Sequence, residues 1–149
     1  MKESVIADST CLIGLERIHL LDLLPALFES ILIPPEVDKE FGVSLPWLKV
    51  ETPSDTALIA ALKMLVDDGE AAAIGLASER GWRVILDDRQ ARAVAKNLGI
   101  TIIGTVGILV RAKQSGIIPL LKPILDDLET SGFYISNALR EEGLRIVGE

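Results

Sequence analysis

Two adjacent acids, Asp87 and Asp88, stand where the apolar run WRVIL ends and a segment with helical spacing begins. Asp8 has a similar position after the apolar run SVIA. Acids in such places either cap the helix that follows or belong to a charged cluster that does chemistry. A cluster requires further acids from segments distant in the sequence, whereas capping does not.

Two further acids meet that requirement. Glu40 lies about two helical turns beyond the apolar run SILIP, and Glu70 lies in the first turn of the helix predicted before WRVIL. If these runs are strands of an open parallel sheet, their carboxyl ends share the edge at which ligands bind. Each acid also has a purely structural explanation, as a helix cap, a surface charge or a favourable charge at a helix start. Convergence of acids from four separate segments favours a site.

A site built from carboxylates alone indicates a hard divalent cation, Mg²⁺ or Mn²⁺. The chain has one cysteine and one histidine, Cys11 and His19, which excludes an intrachain disulfide and a cysteine zinc site and argues against a Ser-His-Asp triad. Without a cation the carboxylates would repel one another, and at least one pKa would rise. With one or two ions the site could activate a water and stabilise an in-line phosphoryl displacement.

The elements that must position these acids follow from the apolar pattern. SVIA (4–7), SILIP (30–34), WRVIL (82–86) and ITIIGT (100–105) predict four strands, and SLPWLKVETP is either irregular or a short exposed strand. Helical segments separate them, with Ser54 as a candidate N-cap and Gly81 as a candidate helix end. Strands that are apolar throughout and alternate with helices predict an α/β fold. We expect a three-layer α/β/α sandwich with a central, mainly parallel sheet, in one domain over residues 1–149.

The composition limits the classes of function. Fifteen basic and 22 acidic residues give a net charge of −7, which argues against binding nucleic acid through overall charge but allows a small basic patch. The N-terminus lacks the pattern of a signal peptide. The densest apolar stretch, residues 18–35, is interrupted by Asp22, Pro25 and Glu29 and cannot span a membrane. We expect a cytoplasmic protein without a membrane partner.

Three basic residues, Arg89, Arg92 and Lys96, are spaced three and four apart after the acid pair and share one helix face. They could bind RNA phosphates next to the acids. The alternative for Arg92 and Lys96 is an ordinary solvated helix face.

Five segments in order, VIADSTCLI, ILIPPEVDKEF, DDGEAAAIGLA, VILDDRQAR and IIGTVGILVRAK, resemble the PIN domain superfamily over nearly the whole chain. They are similar in particular to its DUF3368 branch of short prokaryotic proteins, which look like the toxins of toxin–antitoxin pairs. The resemblance implies a PIN-like sandwich and a Mg²⁺- or Mn²⁺-dependent endoribonuclease acting on single-stranded RNA. It also implies a small antitoxin protein as a partner and a homodimer.

The resemblance assigns catalytic positions to four acids, of which all except Glu40 would hold the metal: Asp8, Glu40, Glu70 and Asp88. The supporting residues that it implies are Ser9, Thr10 and Asp87, the last at the Asn position of a T-N-D pattern. Two departures stand out, because Glu70 replaces a commoner Asp and Leu86 replaces a frequent Thr or Ser.

A second class of function stays open at this point. The chain could be a catalytically inactive PIN-like module that binds nucleic acid or protein. A phosphatase with a covalent aspartate is disfavoured, because Asp8 is followed by Ser9 and Thr10 rather than by the DxDx(T/V) spacing. The leucine-rich helices around residues 10–30 also suggest a homodimer, since they hold more leucine than one buried face requires.

Overall fold

The computed structural model describes residues 2–149, so Met1 of the predicted domain lies outside the described residues. Its strands are short, and most of their residues are buried. They are β1 (Val5–Ile6), β2 (Ile31–Ile33), β3 (Leu48–Val50), β4 (Arg83–Ile85) and β5 (Ile102–Ile103). All of them pair in parallel, in the order β3-β2-β1-β4-β5.

Helices connect the strands and cover both faces of the sheet, which confirms the predicted three-layer α/β/α class. In chain order they are α1 (Ser9–Arg17), α2 (Leu23–Leu27), α3 (Pro35–Phe41), α4 (Thr56–Leu62), α5 (Asp68–Arg80), α6 (Arg89–Asn97), α7 (Thr105–Gln114), α8 (Lys122–Thr130) and α9 (Asn137–Ile146). Within residues 2–149, no helix combines the length and the apolar character that crossing a membrane requires.

The strands are apolar throughout because successive side chains enter different cores. In β1 and its extension, Val5 and Ala7 join the core formed with α1, α2, α7 and α8, whereas Ile6 joins the core formed with α4, α5 and α6. The alternation sends the next side chain, Asp8, towards the α5 side of the sheet edge. Both cores are mainly aliphatic, in keeping with an aromatic content of only 4%.

The segment that the sequence left open between an irregular loop and a strand forms β3. It pairs with β2 at the edge of the sheet, where Leu48 is buried while Lys49 and Val50 are exposed. Because only one of its three side chains is buried, its pattern lacks the continuous apolar run that marks the inner strands.

The predicted N-cap Ser54 is wrong by one residue. Asp55 is the N-cap of α4, and its carboxylate accepts a hydrogen bond of 3.0 Å from the Leu58 N–H. Ser54 instead binds Glu79 of α5, with its own N–H donating over 2.6 Å and its hydroxyl over 3.2 Å. The distant carboxylate of Glu79 is a tertiary partner that a local cap pattern does not reveal. At the other end of α5, Gly81 ends the helix with a φ of 68°, as predicted.

The strand order places a topological switch point beside β1. The chain leaves β1 towards β2 on one side, and β4 and β5 lie on the other side. In open α/β sheets the crevice at such a point, beyond the carboxyl ends of the strands, is the usual binding site. Asp8 follows β1, and Asp87 and Asp88 follow β4 after Leu86.

Candidate active site

Asp8 occupies the N-cap position of α1, yet its side chain makes no capping hydrogen bond to that helix. The residue is only 5% exposed. The pKa of its carboxyl group is raised to about 7, mainly by burial and also by the nearby charges of Asp67, Glu40 and Asp87, while a backbone hydrogen bond from Ser9 opposes the shift. Helix capping therefore does not explain the position of Asp8. Its carboxyl group is buried close to other carboxyl groups.

Glu70 is buried at the start of α5 and belongs to a capping box. The carboxylate of Asp67 accepts from the Glu70 N–H at 2.8 Å, and Glu70 Oε1 accepts from the Asp67 N–H at 3.2 Å. Burial raises the pKa of Glu70 to about 7, with further contributions from the charges of Asp67, Asp8 and Asp88. Capping thus uses one oxygen of Glu70, while its charge interacts with the acids after β1 and β4.

Glu40 reaches the same edge from α3. Its Oε2 accepts a hydrogen bond of 3.3 Å from the hydroxyl of Ser9, which ties α3 to the residue beside Asp8. Its Oε1 lies against the backbone of Gly69 in the first turn of α5, where a Cβ atom would collide with it. The missing side chain at Gly69 is what allows the Glu40 carboxylate to occupy this place.

The two adjacent acids after β4 have different surroundings. Asp88 is exposed and caps α6, because its Oδ2 accepts from the Ala91 N–H at 2.9 Å. Asp87 is turned to the start of α7, where its two oxygens accept from the N–H of Thr105 at 2.8 Å and from its hydroxyl at 2.6 Å. Burial raises the pKa of Asp87, although the hydrogen bonds from Thr105 and the charge of Arg92 oppose that shift.

Thr105 was not among the predicted residues. It is completely buried and occupies both oxygens of Asp87, which leaves Asp88 the more accessible acid of the pair. The available signal was its place as the last residue of the last predicted strand, at the same sheet edge as the acids.

Four of the candidate acids form no salt bridge with the described part of the chain. Among residues 2–149, none of the ion pairs includes Asp8, Glu40, Glu70 or Asp88. Oxygen donors with uncompensated negative charge are the chemistry that a hard divalent cation requires. In the same residues, no three His, Cys, Asp or Glu side chains are arranged to hold one ion as they stand. The fit to a cation therefore rests on donor chemistry and charge.

The predicted basic residues lie on α6, but they differ in their contacts. Arg89, the first residue of the helix, is exposed beside Asp88. Arg92 is half-buried and donates from Nη1 to the Leu86 carbonyl at 2.8 Å, with its charge acting on Asp87. Lys96 is exposed in the last turn. Of the three, Arg92 is already engaged by the protein.

A cavity of about 570 Å³ opens beside Asp87 and Asp88. One wall is α1, another is the start of α6, and the third is the segment between α8 and α9, residues 131–134. Thr10, a predicted supporting residue, lines this cavity, and the lining residues that were not predicted include Arg17, Phe133 and Tyr134.

The all-parallel sheet with buried acids at its switch point defines an α/β protein with an acidic candidate site at the carboxyl edge of the sheet. The DUF3368 family model, a PIN domain, matches residues 4–149, so the chain belongs to this PIN domain family. PIN domains are generally nucleases, and thus hydrolases, and they typically use divalent metal ions. A comparison with curated proteins finds no match.

Proposed function

We propose that this protein is a Mg²⁺- or Mn²⁺-dependent endoribonuclease that cleaves single-stranded RNA. The observation that supports the proposal best is Asp8, a buried acid at the switch point. Its side chain makes no capping hydrogen bond and forms no salt bridge within residues 2–149. Keeping such a group costs stability, because desolvation and like charges both oppose its ionisation. A role in binding a cation accounts for that cost.

Asp8, Glu70 and Asp88 would hold the metal, and it would supply the positive charge that activates a water and stabilises an in-line displacement. Glu40 would add a further negative charge at this edge of the sheet. The hydroxyl of Ser9 holds its carboxylate in place through a hydrogen bond. Thr105 fixes Asp87 against α7 and so keeps its carboxylate from swinging into the site.

The experiment that tests the proposal compares an unstructured RNA with DNA of the same sequence, each labelled at one end. In Mn²⁺ or Mg²⁺ we expect RNA products, in EDTA none, and in Ca²⁺ binding without turnover, because Ca²⁺ is larger and less strict in its geometry.

One observation favours the inactive binding module, namely that no three candidate ligands among residues 2–149 are arranged around one point. That alternative predicts retention of RNA without products in every metal, a result that would overturn the nuclease proposal.

Gly69→Ala is expected to separate activity from stability. The new methyl group must displace the end of the Glu40 side chain, and a shift of about 1 Å in a catalytic group can cost up to about a hundredfold in rate. Alanine should not weaken the helix, since it is favoured over glycine there by roughly 0.5–1 kcal/mol. We therefore expect cleavage to fall at least about tenfold, with an unchanged or slightly higher melting temperature.

The control for this prediction is a double-mutant cycle with Glu40→Ala. In the Glu40→Ala background the methyl group has no carboxylate to displace, so Gly69→Ala should change cleavage little further. An equal loss in both backgrounds would mean that Gly69 does not act through Glu40.

We further propose a small antitoxin as a partner and a homodimer as the form in solution, in line with the family resemblance. Four leucines of residues 10–30, namely Leu12, Leu15, Leu23 and Leu24, are buried within the chain and are not available for a dimer contact. The large exposed apolar residues near the C-terminal helices, Leu120, Leu139 and Ile146, are a better candidate surface. Light scattering that reports the mass of one chain at high concentration would rule the homodimer out.

A further inference from the structure

We infer that the cavity between α1, α6 and residues 131–134 binds one nucleotide of a single strand, with Tyr134 stacking on its base and Arg17 and Arg89 binding its flanking phosphates. This inference rests on the proposed function and adds to it the path of the strand. The strand would run from the acids after β4 towards the α8–α9 connection, rather than along α6.

The charges around the cavity support this assignment. Within residues 2–149, neither Arg17 nor Arg89 belongs to an ion pair, although the chain has an excess of acids. Arg17 donates from Nη1 to the Ser131 carbonyl at 3.4 Å, which holds the guanidinium at the cavity wall and leaves its other N–H groups for a ligand. Two unneutralised guanidinium groups beside carboxylates fit the phosphates on either side of a bound nucleoside.

The aromatic residues of the cavity supply a surface for a base. Tyr134 is 84% exposed, which is unusual for a large aromatic side chain unless it meets a partner. The neighbouring Phe133 is half-buried and packs over Gly14 of α1, where a Cβ atom would come within 3.0 Å of its ring. Phe133 therefore anchors the segment, and Tyr134 is left with a free ring face at the cavity.

The size of the cavity suits one nucleotide. Its volume of about 570 Å³ lies within the range of about 300–1,000 Å³ that is typical of small-ligand pockets. Stacking on an aromatic ring requires a base that is not paired in a helix, so this site would favour single strands over duplexes. The α6 alternative is weaker, because Arg92 is already bound to the Leu86 carbonyl.

The test is binding without turnover. Short unstructured RNAs of several compositions, each with one 2-aminopurine, are titrated with the full-length protein in Ca²⁺ or EDTA. Anisotropy gives the Kd, and quenching of the 2-aminopurine reports stacking. Tyr134→Leu is expected to weaken binding about tenfold and to remove the quenching, whereas Tyr134→Phe should keep both. Arg17→Gln should weaken binding to all the RNAs and lower the salt dependence by about one phosphate contact.

The matched control is Lys49→Gln, which removes an exposed charge on β3 without touching the cavity and should leave binding unchanged. Wild-type affinity in Tyr134→Leu, equal affinity for duplex RNA, or no wild-type binding to any RNA would each overturn the inference. If RNA is cleaved while Tyr134→Leu binds and cleaves as the wild type does, only the nucleotide site is wrong. If Tyr134-dependent binding occurs without any cleavage, the nucleotide site stands and the nuclease proposal fails.

Discussion

Asp8→Asn is expected to lower metal-dependent RNA cleavage by a factor on the order of 10² to 10³, the usual cost of removing one preorganised charged group from an active site. The substitution keeps the shape of the side chain and its ability to accept a hydrogen bond from Ser9, but it removes the negative charge. Asp8 lies at the end of the central strand, between acids that arrive from α3, α5 and β4. The loss of its charge therefore affects the centre of the candidate site.

The measurement is the initial rate of RNA cleavage in Mn²⁺, with Asp22→Asn as the matched control. Asp22 is exposed, makes no capping hydrogen bond and lies away from the sheet edge, so its variant should retain the wild-type rate. Asp88→Asn is a second informative variant, because asparagine caps helices as well as aspartate does. It should preserve α6 and still reduce cleavage. A wild-type rate in Asp8→Asn would remove Asp8 from the reaction.

In the absence of metal, Asp8→Asn is expected to stabilise the fold at alkaline pH. The pKa of Asp8 is raised from 3.8 to about 7, so the folded protein binds this proton more tightly than the unfolded chain does. The contribution of the group to stability is complete below about pH 4 and is lost as the pH rises through 7. Each unit of difference between the unfolded and folded pKa values corresponds to about 1.4 kcal/mol. At pH 8 the ionised Asp8 therefore lowers the free energy of unfolding by an amount on the order of 4 kcal/mol.

Urea unfolding in EDTA at pH 5 and pH 8 measures this effect. Asp8→Asn should exceed the wild type in unfolding free energy by a margin that is clearly larger at pH 8 than at pH 5. The variant should also gain less in melting temperature from added Mn²⁺, because the ion stabilises the folded wild type by binding it. If the free energy of unfolding depends on pH in the same way for the wild type and Asp8→Asn, the folded protein does not raise the pKa of Asp8.

Much of the fold could be predicted because the local pattern of apolar and polar residues indicates which side chains are buried. The inner strands β1, β2, β4 and β5 are apolar runs since both of their faces are covered, and helices separate them in the predicted order. The edge strand β3 was ambiguous because only Leu48 of its residues is buried. Asp8 and Asp88 were found for the same reason, since they follow the ends of apolar runs, whereas Glu40 and Glu70 were located from the helices predicted beside those runs.

The roles within the site were decided by contacts between distant residues. The sequence by itself determined that Asp87 and Asp88 end a strand, but the pairing of β4 with β5 brings Thr105 against Asp87 and leaves Asp88 accessible. Likewise, Gly69 makes room for Glu40 only because α3 packs on α5. Local patterns encode which side chains are buried and where helices begin. Which oxygen accepts which hydrogen bond depends on strand order and helix packing, and these bring together residues far apart in the chain.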